Sequence, residues 1–186
     1  MKRMTGIVAV AAFGLGGLVS AYALLSGRAD PAGVTRVPHP VWQEVSWPFP
    51  LDQWGEGKAY QCKAADCGIE VNVYIRAKIG FCNCTTGVSD DEELDRISDF
   101  DLLGNRLAPQ GPGRPIAVAW MKGRSRSFSI GGAPQTALSV GFNDHCDAIV
   151  ATALVARGEP AALEPAVLDF LNSRIVIRWA KVTLGL

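Results

Sequence analysis

The side chains best suited to chemistry in this sequence are its cysteines. Cys62, Cys67, Cys82 and Cys84 fall in one short stretch, and Cys146 stands far downstream. Paired thiols crosslink a chain in an oxidising compartment, whereas clustered thiolates hold a soft or borderline ion such as copper(I) or zinc. The cluster spells C-x4-C and then C-x-C. Structural zinc sites place two to four residues between the cysteines of each knuckle, so only the first half complies. A second ligand set, for copper or zinc or for thiol exchange, gathers Cys82, Cys84 and Cys146 with His145. The C-x-C spacing also departs from the C-x2-C of most redox-active pairs.

Compartment decides between these readings, and the opening of the chain bears on it. After Lys2 and Arg3 no charged residue appears until Arg28, and Ile7 to Leu25 is apolar or small throughout. This is the pattern of a basic n-region followed by a hydrophobic h-region. Ala21, Tyr22 and Ala23 form an Ala-x-Ala cleavage site. Left uncut, residues 5–25 are long enough to span a bilayer as an inner-membrane anchor, because about 20 residues suffice. Residues 1–27 are therefore expected to be a signal peptide or an N-terminal transmembrane anchor. The positive end favours a cytoplasmic N-terminus, with the rest periplasmic or secreted. In that setting the cysteines are expected to form disulfides, and their odd number leaves one thiol over.

Local patterns narrow the pairing. Residues 63–66 read as a hairpin loop between Ala59–Cys62 and the alternating run Ile69–Ile75, which sets Cys62 opposite Cys67 at a separation a disulfide can bridge. Cys82 and Cys84 are two apart at the end of the same extended segment, so they project to one face and compete for Cys146.

The elements that must hold these residues are those of an α+β domain, an antiparallel β-meander with two short helices, over residues 52–186. Residues 28–51 read as a proline-rich arm or linker. Trp42, Trp47, Phe49 and Trp54 give it and its border with the domain more aromatic surface than a solvated tether needs, so they either pack on the domain or dock an envelope or membrane protein. Ser89 with Glu92 forms a capping box, Asp90 to Glu93 suit the positive end of a helix, and Leu94, Ile97 and Phe100 supply its apolar stripe before Gly104. A hairpin with Lys122 to Arg126 as its basic tip follows. Residues 137–142 and 148–155 then pair around the polar loop Asn143–Asp147. Glu164–Leu171 reads as a short helix with Pro165 in its first turn. The tail from Arg174 to Leu184 reads as a strand, although Leu171, Ile175, Trp179 and Val182 also fit helical spacing.

Composition excludes some functions. Basic and acidic side chains number 18 each, so nothing electrostatic calls for nucleic acid. No G-x-S-x-G, H-E-x-x-H, Walker A or G-x-G-x-x-G pattern is present. The two histidines, His39 and His145, leave little general acid-base chemistry, and no catalytic residue or resident cofactor is expected. The sequence thus points to an exported, disulfide-stabilised binding or accessory domain of the cell envelope, with thiol or metal handling at Cys82, Cys84 and Cys146 as the alternative.

Overall fold

The computed structural model describes residues 40–103, 107–156 and 158–186. The expected signal or anchor segment, the first part of the arm, His39 and the terminating Gly104 lie outside the described residues. Among those described, the architecture is a largely antiparallel sheet carrying a few helices, as the α+β reading requires.

The strands are β1 (Trp42–Val45), β2 (Lys58–Cys62), β3 (Val71–Lys78), β4 (Leu107–Pro109), β5 (Arg114–Val118), β6 (Met121–Ile130), β7 (Thr136–Asp144) and β8 (Asp147–Val155). They form one sheet in the order β1-β2-β3-β8-β7-β6-β4, and β5 also pairs with β6. The helices are α1 (Ala64–Cys67), α2 (Asp91–Ile97), α3 (Pro160–Leu171) and α4 (Arg174–Leu184), with a 3-10 turn at Phe100–Leu103.

Period-two alternation sends the residues of each strand to opposite faces, and here both faces are covered. Val71, Val73 and Ile75 of β3, with Leu138, Val140 and Phe142 of β7, face α3 and α4 through Val167, Phe170, Leu171, Val176 and Ala180. Ala148 and Val150 of β8 turn the other way, onto Leu94 and Ile97 of α2. Small residues let α2 lie close. A Cβ added at Gly141 would stand 2.9 Å from the Cδ1 atoms of both Leu94 and Ile97.

Several expectations are corrected. The arm is not wholly irregular, because Trp42–Val45 pairs residue by residue with β2. The basic segment Lys122–Arg126 is no hairpin tip but the start of β6, paired with both β5 and β7. The turn sits earlier, at Ala119 and Trp120, where Ala119 adopts φ 51° and its N–H bonds to Asn172 Oδ1 at 2.8 Å. Arg124 and Arg126 are held in the strand by partners on α2, Asp91 and Asp95. The β7–β8 strands extend to Asp144 and Asp147, so only His145 and Cys146 remain in the loop.

The helix after the cysteine cluster is capped one residue later than expected. Asp90 accepts from the Glu93 N–H at 2.8 Å, and its β-region backbone suits an N-cap. Phe100 belongs to the 3-10 turn rather than to the stripe of α2. Helix α3 starts at Pro160 instead of Glu164 and runs through Pro165, which is exposed. The tail is a helix, not a strand: the Ser173 hydroxyl caps it, and Val176 and Ala180, one turn apart, fill the sheet interface. Ile175 and Val182, which carried the helical alternative in the sequence, lie on the outer face.

The glycines of the central strands give an ordered prediction. A Cβ at Gly123 would overlap the backbone oxygen of Gly141 and the backbone of Phe142, which cannot move without disturbing the ladder, whereas at Gly141 it meets only side-chain tips. Gly123→Ala should therefore lower stability by about 3 kcal/mol and Gly141→Ala by about 1 kcal/mol in urea unfolding. Equal costs at the two sites would contradict this packing.

Candidate functional site

Two neighbouring clusters hold the chemistry-bearing side chains. The first is the sulfur corner. Strand β3 ends at Lys78, so Cys82 and Cys84 do not share the face of a continuing strand as expected. They sit in the loop of residues 79–90, which doubles back under the β7–β8 turn. Four anchors fix it: Gly80 N–H to Asp147 Oδ1 at 2.6 Å, Cys82 N–H to Cys146 C=O at 3.1 Å, Asn83 N–H to Glu93 Oε1 at 2.9 Å and Val88 N–H to Asn143 Oδ1 at 2.9 Å.

Cys84 and Cys146 stand at disulfide distance, Sγ to Sγ 2.06 Å, and Cys82 is the free thiol. Cys62 and Cys67 form the second pair at 2.07 Å, with Cα atoms 6.0 Å apart. The hairpin geometry inferred for that pair is corrected. Cys62 faces Val71 across the ladder, and Cys67 ends the one-turn helix α1. Bonds from the Asp66 and Cys67 N–H groups to Lys63 C=O curl the chain tightly enough to return Cys67 to Cys62.

The Cys82 thiol is 6% exposed and donates to His145 C=O at 3.2 Å. Burial, reinforced by the carboxylates of Glu93 and Asp147, pushes its pKa up to about 11. At neutral pH it is a protonated, sealed thiol with little nucleophilic character. His145 adopts φ 51° and points its ring outward, 88% exposed, with Nδ1 3.1 Å from the Asp144 carboxylate. The structure thus brings Cys82, Cys84, Cys146 and the His145 backbone together but not the imidazole. Among the described residues no group of three or more His, Cys, Asp and Glu side chains converges as a metal-binding set.

The second cluster escaped sequence reading. Arg76 and Lys78 alternate with Ile75 and Ala77 on β3, and both cations are buried against the face that carries α2. Arg76 donates from Nε and Nη2 to the two oxygens of Asp99 and from Nη1 to Asp52 at 2.7 Å. Lys78 Nζ lies 2.8 Å from the same Asp99. Asp99 immediately follows the Ser98 cap of α2, and Asp52 lies just past the arm, between β1 and β2. Aromatic rings close the cluster. Trp47 lies over Arg76, while Trp54 and Phe81 flank Lys78 at 5.5 and 5.7 Å. Trp54 and Phe81 also pack together at 4.6 Å, joining the arm to the sulfur loop. The available signal was two cations on β3, a strand flanked in the sheet by the apolar run of β8.

The arm wraps the edge of the sheet. Trp42 stacks on Phe170 of α3, on one face, and Trp47 and Phe49 pack edge-on to Tyr74, on the other. Between Trp47 and the start of β2 lies an open cleft of about 640 Å³ lined by Glu44, Ser46, Trp47, Glu56 and Lys58. The buried Trp47 Nε1 has no hydrogen-bond partner, and Glu44 is paired with Lys58 at 2.6 Å. Such a cleft can bind polar groups.

Removing Asp99 leaves two buried cations without their shared acceptor, so Asp99→Ala should cost about 3 to 5 kcal/mol in urea unfolding, with the tryptophan fluorescence of the arm altered. In the folded protein Cys82 should resist iodoacetamide at pH 8, and its labelling rate should climb as the pH approaches 11. Fast labelling at pH 7 would contradict a sealed thiol. Comparison with protein-family models, curated proteins and solved structures finds no match for this chain.

Proposed function

We propose that this chain is an exported or membrane-anchored protein whose domain works outside the cytoplasm as a binding or accessory module of the cell envelope. The observation that carries this reading is the disposition of the five cysteines. Four stand as two pairs at disulfide distance and the fifth is sealed in the core, an arrangement suited to an oxidising compartment. The apolar run after Lys2 and Arg3 supplies the route out. Binding is favoured over catalysis by what surrounds the cleft. Its charges are two carboxylates and a lysine on an open edge, Val45 in its lining is exposed, and Val41 and Leu51 of the same segment are exposed as well. An envelope protein that adds an extended segment along β1 and reaches the Trp42, Trp47 and Trp54 arm fits that edge.

The second reading, thiol exchange or soft-metal handling, draws on the contact of Cys82 with the turn that bears Cys146. If the Cys84–Cys146 pair is open in the cell, three thiols and His145 are available to copper or zinc around one turn.

Intact mass spectrometry of protein from native envelopes, recorded under native conditions for bound ions and again after denaturing alkylation without reductant for free thiols, separates the two. One alkylated cysteine and no bound ion is the expected outcome. Three or more free thiols, or a retained ion, would sink the binding-module reading and favour the second. The same spectrum reports whether residues 1–23 have been removed.

A further inference from the structure

Helix α4 has two amphipathic faces, and only one is used by the fold. Val176 and Ala180 are buried against the sheet, while Arg174, Arg178 and Lys181 form a basic stripe on the outer side. Beside that stripe run Ile175, 63% exposed, Val182, 75%, and Leu186, 60%. Within the helix, successive positions along this surface are three, four or seven apart, so Arg174, Arg178 and Lys181 make one row and Ile175 and Val182 a second beside it, with Leu186 following the left-handed Gly185 cap. Trp120, in the β5–β6 turn, is 43% exposed and lies under Lys181 Nζ at 5.2 Å, extending the surface with an amphipathic ring.

The arginines on this face differ from the other arginines among the described residues. Arg76, Arg96, Arg114, Arg124 and Arg126 each meet a carboxylate. Among the described residues Arg174, Arg178 and Lys181 meet none, and α4 contains no acidic residue.

We propose that this face of α4 docks on an anionic phospholipid surface, with Ile175, Val182 and Leu186 entering the headgroup boundary, Trp120 at the interface, and the three cations on lipid phosphates. A row of aliphatic groups beside a row of cations, with a tryptophan at its margin, is the arrangement that holds a helix in the plane of a membrane. An acidic protein surface would use the cations but leave the aliphatic row in water. The proposal rests on the envelope reading for its biological setting, since an apolar run ahead of the domain keeps it near a bilayer. Its chemistry is independent of that reading.

The test uses the full chain reconstituted into phosphatidylcholine or phosphatidylglycerol nanodiscs containing brominated lipid, which quenches tryptophan on contact. In phosphatidylglycerol, quenching should exceed that in phosphatidylcholine, Trp120→Phe should remove the excess, and hydrogen exchange over residues 174–186 should slow. Each cation near an anionic surface contributes about a fivefold factor, so the triple variant Arg174→Gln, Arg178→Gln, Lys181→Gln should lower the docked-to-undocked ratio roughly 100-fold. An unchanged melting temperature would confirm that these exposed substitutions leave the fold intact. Equal quenching and equal exchange in the two lipids would overturn the proposal, as would anion-dependent quenching that survives both Trp120→Phe and the triple variant. Should the cysteine count place the protein in a reducing compartment while anion-dependent docking persists, the envelope reading fails and this one stands.

Discussion

Asp99 is the point on which the second face of this fold depends. One carboxylate accepts from Arg76 and Lys78 of β3 at the place where α2 ends, and Arg76 reaches on to Asp52 at the end of the arm. Three separate parts of the chain are thereby joined through a site that is 5% exposed at Asp99 and 3% at Arg76. Taking these groups out of water costs several kcal/mol each, and their attraction offsets that cost only while every partner is present. A hydrophobic replacement of the whole set could hold the layers equally well. The ion cluster adds direction, because Arg76 can satisfy both acids only when arm and helix lie where they do.

The acids of α2 repeat the device on a smaller scale. Asp90 caps the helix, and Asp91 and Asp95 reach across to Arg124 and Arg126 on β6. Desolvation would raise the Asp91 carboxyl, but the Gly113 N–H and the Arg124 guanidinium outweigh it and hold it below the usual carboxylate range. Stability from this group is therefore present at neutral pH and is lost as pH falls through its depressed pKa. The helix is short, and its apolar contact with the sheet is limited to Leu94 and Ile97. Charge pairing makes up the difference and also explains why a run as basic as Lys122–Arg126 lies within a sheet.

Much of the local structure was legible in the sequence because short-range rules govern it. The β7–β8 hairpin follows from two apolar runs around the polar segment Asn143–Asp147, and the start of α2 from its acidic first turn. What escaped was set by contacts distant in sequence. The basic segment reads as a hairpin tip in sequence because Asp91 and Asp95, its partners, lie 31 to 33 residues earlier. The tail reads as a strand in sequence because Ile175, Val176 and Ile177 are β-branched; burial of Val176 and Ala180 against the sheet outweighs that modest preference. Cys82 and Cys84 were equivalent in spacing, and only the path of the loop after Lys78 decides which of them meets Cys146.

That path also links the sulfur corner to the ion cluster. The Cys84–Cys146 pair joins residues 62 apart, a closure that constrains the unfolded chain by about 4 kcal/mol in the entropic model, against about 2 kcal/mol for the short Cys62–Cys67 loop. Its structural effect is local and specific. By tying residues 79–90 to the β7–β8 turn it sets Phe81 between Arg96, 4.5 Å away, and Trp54 of the arm. Phe81 in turn shields Lys78 from water, which keeps the lysine's pairing with Asp99 in a low-dielectric setting. The bridge and the ion cluster are thus two ends of one assembly, with Phe81 as the contact between them. Cys82 lies inside that assembly, one residue from Phe81. Its role there is that of a small apolar group filling the space beneath the turn, consistent with a thiol whose ionisation burial suppresses.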